Sequence, residues 1–119
     1  MRRNAIKDKV YSFSVRIIIL TKELIKRKVE VILINRLLKS GTSIAANVEE
    51  AFSGISKVGF SMKLSISYKE AKETGSWLKL LKNTGSISVD EYNSFHKDLD
   101  EILKVLQEIL KKKKTKIEV

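Results

Sequence analysis

Fourteen carboxylates, twenty-four lysines and arginines and a single histidine are the groups in this 119-residue chain that could do chemistry. They support binding better than catalysis. A di-metal carboxylate centre in a helical bundle needs a Glu-x-x-His pair on each of two helices, with single carboxylates on the others. Glu49 or Glu50, Glu70 and Glu73 could supply carboxylates, but His96 stands alone and no Glu precedes it by three. The ligand set is incomplete, so no metal or other cofactor is expected. Hydrolysis by a side-chain nucleophile needs an adjacent base and a third group to orient it. Many serines face only one histidine here. Neither GxGxxG nor GxxxxGK followed by Ser or Thr occurs, so there is no phosphate-cradling loop. A carboxylate-only nuclease could be drawn from Glu50, Glu70 and Glu73, but a structural network uses the same groups more simply. No catalytic residue is assigned, and the chain reads as a non-enzyme.

The cations carry the stronger signal. Net charge is +10. Residues 1–40 hold 11 basic and 3 acidic groups, a net +8, while residues 84–119 balance at 7 of each. Lys22, Lys26, Arg27 and Lys28 cluster at the end of the first helical pattern. Arg36 and Lys39 follow one turn apart, and Arg2 and Arg3 precede them on a free N-terminal arm. A positive front half suits a polyanion. No zinc-finger, RRM or KH pattern is present, so such a surface would meet phosphates and shape rather than base sequence.

These groups must be positioned by helices. Proline is absent and glycine numbers only 5, which leaves short loops. Ile6, Val10, Phe13, Ile17, Leu20 and Leu24 repeat every three or four residues and predict a helix over 6–27. Ile34, Leu37, Gly41, Ile44, Val48 and Ala51 predict one over 31–52, with Gly54 as a stop. Phe60, Leu64, Ser67, Ala71, Thr74, Leu78 and Leu81 predict one over 57–82, ended by Asn83–Gly85. Ser88-Val-Asp-Glu91 is a capping box that opens a helix over 88–112, running into a basic tail at 111–119. The boundary between the first two helices is not marked: Lys26-Arg27-Lys28-Val29-Glu30 has no Gly, Pro, Asn or Ser. The pattern alone also allows one helix from Ile6 to Phe52, roughly 70 Å long. The length predicts a single domain over 1–119. No cysteine is present, which excludes disulfides and thiolate metal sites. No secretory signal is evident, and no apolar run approaches the ~20 residues that span a bilayer, so the expectation is a cytoplasmic protein without a membrane partner.

The second and third helical patterns are interrupted by small and hydroxylated residues. Ser40, Gly41, Thr42, Ser43, Ala45, Ala46 and Asn47 fall in one; Ser65, Ser67, Ala71, Thr74, Gly75 and Ser76 fall in the other. Small residues admit close backbone approach, and a buried hydroxyl left unpaired costs roughly 1–3 kcal/mol. A tightly specified helix pair is the expectation.

LLKSGTSIAANVEEA, followed by KLSIS-x-KEAKET-x-x-WLKLL, resembles the 23S rRNA intervening-sequence protein family over nearly the whole chain. The resemblance implies an all-α, antiparallel up-and-down four-helix bundle, broken between residues 27 and 31. It also implies a bacterial, cytoplasmic protein assembling as a homopentamer. The chain is similar, too, to the accessory proteins of diversity-generating retroelements, basic ring-shaped bundles that act with RNA and a reverse transcriptase. The polar residues that carry the resemblance are Asn47, Glu50, Glu70, Glu73 and Thr74. They read either as hydrogen bonds between helices or as an intersubunit polar ring that selects oligomer number. Trp77 reads as a core or interface anchor. The expected function is a non-enzymatic oligomeric scaffold for structured RNA, contacted through Arg2, Arg3, Lys22, Lys26, Arg27, Lys28, Arg36 and Lys39. A protein-interaction adaptor docking an acidic partner or a reverse-transcriptase-like enzyme is the alternative.

Overall fold

The computed structural model describes residues 2–54 and 56–118, with the side chains of 2–4 and 113–118 outside the description. Apolar residues at three- and four-residue spacing produce four helices: α1 (Arg2–Lys26), α2 (Val31–Ala51), α3 (Lys57–Asn83) and α4 (Val89–Glu118). Two differences from expectation lie at the ends. Arg2 and Arg3 belong to the first turn of α1 rather than to a free arm, and α4 runs on through the lysine segment to Glu118. Without Pro or Gly, nothing in either stretch stops a helix.

Three turns of four or five residues join the helices and make sequence neighbours antiparallel. The break between α1 and α2 is real, and its geometry explains why no glycine marks it. Val29 N–H donates to Leu24 O at 3.1 Å and Lys28 N–H to Ile25 O at 3.0 Å. That pair of bonds is a Schellman cap, which needs a left-handed residue at its fifth position. Lys28 supplies it at φ 59°. The half-buried Val29 packs back onto the core, completing the cap's apolar contact. The α3–α4 turn uses the same pair of bonds, Ser86 N–H to Leu81 O and Gly85 N–H to Lys82 O, with Gly85 at φ 80°. Here the sequence announces the turn. Ser88 and Glu91 then cap α4 reciprocally, at 2.8 and 3.0 Å.

The helices pack in the order α1, α2, α3, α4 around a square, and α1 and α3 occupy opposite corners with no close backbone approach among the described residues. The core contains the predicted stripes: Phe13, Ile17, Leu37, Ile44, Leu64, Leu78, Leu99 and Ile102 are all buried. Phe60, Tyr92, Ile109 and Leu110 are partly buried at its edge.

The α2–α3 interface is the most extensive, and the small residues are the reason. Buried Ser67 donates to Ile44 O across it at 2.8 Å. Buried Thr74 and Ser40 share a hydrogen bond of 2.9 Å between their hydroxyls. Both contacts join the two helices and satisfy groups that would be costly unpaired. Gly41 allows a close α1–α2 approach: a Cβ there would lie 2.8 Å from Ile17 Cγ2.

Candidate nucleic-acid interface

The α1–α2 turn, the last turn of α1 and the first turns of α2 form one end of the bundle. Lys26 and Lys28 lie at the turn, Lys22 one helical turn before it. Arg36 and Lys39 lie within about 12 Å of the start of α2 along its axis. All five are exposed, and none has an ion pair among the described residues. Carboxylates neutralise several other cations: Lys7 pairs with Glu49, Lys9 with Glu101, Arg16 with Asp98 and Lys63 with Glu50.

Arg27 does not join the free cations. Its Nη1 and Nη2 donate to the two oxygens of Glu91 at 3.0 and 2.7 Å. Nη1 also donates to Ser86 O at 2.9 Å, and Nε to Glu23 Oε2 at 3.2 Å. The guanidinium therefore clamps the end of α1 to the start of α4. Its bonds hold the Glu91 carboxyl down at about 2, helped by the capping bond from Ser88. The i, i+4 relation to Glu23 is visible in sequence; the partner 64 residues away is not. The side chains of Arg2 and Arg3 lie outside the described residues.

The polar residues on α2 and α3 have mixed partners. Asn47 Nδ2 donates to Ser43 O at 2.8 Å within its own helix. Glu50 reaches Lys63 at 2.7 Å, an ion pair between α2 and α3. Thr74 is buried and also donates to Glu70 O. Half-buried Trp77 donates its Nε1–H to Glu73 Oε2 at 3.0 Å. Glu50 and Glu73 thus hold other partners, and no group of three or more His, Cys, Asp or Glu placed to hold a metal occurs among the described residues.

Sequence reasoning passed over two features. Lys57, Lys69, Lys72, Lys79 and Lys97 are also exposed without an ion pair among the described residues. The second feature is apolar. Tyr11, Val15, Ile18 and Ile25 share one face of α1 and are exposed, as is Ile19 beside them, with Ile25 at 62%. Val58, Met62, Ile66 and Leu80 form an exposed face on α3, with Val58 at 67%. The signal was present in Arg16-Ile-Ile-Ile-Leu20, which is too apolar for a helix with only one buried stripe.

Four long antiparallel helices around one core, with a patch of unpaired cations at one end, define a small basic helical-bundle protein. The chain belongs to the 23S rRNA-intervening sequence protein family, which it matches over residues 2–108. It is similar to a crystallised protein of unknown function from the S23 ribosomal protein family of Bacteroides thetaiotaomicron. The two are 43% identical with a TM-score of 0.90, covering 93% of this chain and 99% of that one. No curated protein matches the chain. No helix among the described residues is long and apolar enough to cross a membrane.

Proposed function

We propose that the protein is a non-enzymatic, homo-oligomeric scaffold that holds structured RNA in the cytoplasm by neutralising phosphates. The observation that carries this reading is the group of Lys26, Lys28, Arg36 and Lys39, exposed at one end and without ion pairs among the described residues. Lys22, between Ile18 and Ile25, lies instead on the apolar α1 face that assembly would cover. Free cations are what phosphate contact requires, and their effect is independent of base sequence. Arg27 leaves the earlier set of contacts because its charge serves the fold. The family's name refers to 23S rRNA and that of the Bacteroides relative to a ribosomal protein family, which favours RNA over other polyanions.

Homo-oligomerisation is supported by the two exposed apolar faces. They lie on α1 and α3, at opposite corners of the square. A two-fold dimer would cover only one of them. Head-to-tail contact of the α1 face of one copy with the α3 face of the next covers both, and such contacts close into rings when the rotation permits. Five copies is the number the resemblance implies. An acidic protein partner is the second reading, favoured by Val31 and Ile32, exposed in the same region as Lys26 and Lys28.

The test is fluorescence anisotropy with an RNA stem-loop and a length-matched DNA duplex, titrated with salt. The expected result is RNA binding whose logarithm falls linearly with that of the salt concentration. Combined Lys26→Glu, Lys28→Glu and Lys39→Glu substitution should weaken it by roughly tenfold or more and flatten the slope. Absence of binding at low salt, or an unchanged slope in the triple variant, would overturn the reading. Arg27 is left intact because its reversal would break the Glu91 clamp as well.

A further inference from the structure

Tyr92 and His96 stand one turn apart on α4 with their rings stacked, centroids 5.5 Å apart and planes inclined by 18°. Lys82 Nζ, from α3, lies 4.4 Å from the Tyr92 ring centroid. Tyr92 is half-buried, whereas His96 is exposed at the surface. The bundle core uses neither polar tip. What surrounds the stack gives it a use.

Lys72, Lys79 and Lys82 are separated by seven and three residues and therefore share one side of α3. The Lys82–Tyr92 contact turns that side towards α4, and so does Gly75, where a Cβ would lie 3.3 Å from Leu99 Cδ2. Lys72 and Lys79 are exposed and have no ion pair among the described residues. Asp100, one turn beyond His96, is paired with Lys104 at 3.1 Å, so its charge is offset. The outer α3–α4 seam thus has an aromatic ring open to solvent beside a row of cations. Those are the two parts of a single-strand binding surface: a ring on which a base stacks and charges that follow the backbone.

The stack also lies at the same end of the bundle as the phosphate-contacting lysines. The α1–α2 and α3–α4 turns meet there, joined by Arg27 Nη1 donating to Ser86 O. We infer that the α3–α4 seam binds an unpaired stretch of RNA, with one base stacked on His96 and its flanking phosphates met by Lys79 and Lys72. This rests on the RNA reading above and deepens it: the preferred ligand is a duplex with an unpaired tail or bulge, not a duplex alone.

The experiment compares a blunt RNA hairpin with the same hairpin carrying an unpaired tail labelled with 2-aminopurine. Wild-type protein should bind the tailed RNA more tightly and quench the 2-aminopurine fluorescence. His96→Ala should abolish the quench and weaken the tailed RNA by about fivefold or more, leaving the blunt hairpin as before. His96→Phe should restore both, because the ring and not the imidazole nitrogens makes the contact. Circular dichroism melts confirm that the exposed-site variants remain folded. Hairpin binding without a wild-type quench, or a quench that survives His96→Ala, overturns the seam alone. Failure of the wild type to bind either RNA overturns the seam and the RNA reading together.

Discussion

At the scale of the residue, Lys28 shows how a turn can be built against local preference. Its left-handed backbone, at φ 59°, is one that side chains with a Cβ disfavour. Gly85 fills the corresponding position of the α3–α4 turn at φ 80° without that penalty. Lys28→Gly is therefore expected to stabilise the fold by about 0.5–1 kcal/mol, glycine's extra freedom in the unfolded chain offsetting part of the relief. The same substitution removes one unpaired cation from the candidate RNA surface. Urea unfolding should show the gain while salt-titrated RNA binding shows a shallower slope, by roughly one unit. A loss of stability would mean that the Lys28 side chain makes a contact worth more than the backbone relief.

At the scale of the element, the four seams are held differently. The α2–α3 seam is close-packed around buried hydroxyls, whereas α1–α4 is the least extensive and is bridged by ion pairs. Lys9–Glu101, Arg16–Asp98 and Arg27–Glu91 span its length, and an open groove of about 650 Å³ lies along it between Arg16 and Arg27. Arg27 lowers the Glu91 carboxyl from 4.5 to about 2, so the folded state favours its ionised form. The resulting stability is fully present above the ordinary pKa of 4.5 and is lost as pH falls through about 2. Glu91→Gln keeps a side-chain acceptor for the capping box but removes the charge. It should cost about 1 kcal/mol at neutral pH, the pair being partly exposed. Unfolding series on both proteins should show that difference shrinking as pH is lowered from 4.5 towards 2. A difference independent of pH would mean that the Gln side chain disturbs packing instead.

At the scale of the whole molecule, a monomer would leave two apolar faces in water on opposite sides of a bundle 51 Å long. Contiguous apolar patches of that kind mark interaction surfaces. Light scattering after size exclusion should give a mass several times the 13.6 kDa of the chain. Val15→Glu with Ile18→Glu places two charges on the exposed α1 face without touching the core, and should reduce the particle to a single chain. A wild-type protein that runs as a monomer would sink the ring assembly. Assembly would bring many unpaired lysines together, which is why a polyanion suits the assembled form better than the single chain.

How much of this could be read in the chain follows from the range of the forces involved. Three- and four-residue spacing of Ile6, Val10, Phe13 and Ile17, and of their counterparts on the other helices, reports directly which face is buried. The Ser88–Glu91 cap and the Gly85 stop are equally local, so helices, faces and the third and fourth helix starts were legible. The α1–α2 break was not, because its cap uses a lysine where glycine is usual, and only the resemblance indicated it. Charge was legible as a total and as a front-half excess, but not as a surface. Whether an arginine is free depends on what folds against it, and Arg27 finds Glu91 only when α4 is laid beside α1. The same holds for Lys82 on Tyr92. Periodicity and capping are properties of neighbours along the chain, so the sequence by itself determined the elements and the sides they bury. Pairing between distant charges and rings is a property of neighbours in space, so only the tertiary structure decided which cations remain available to a ligand.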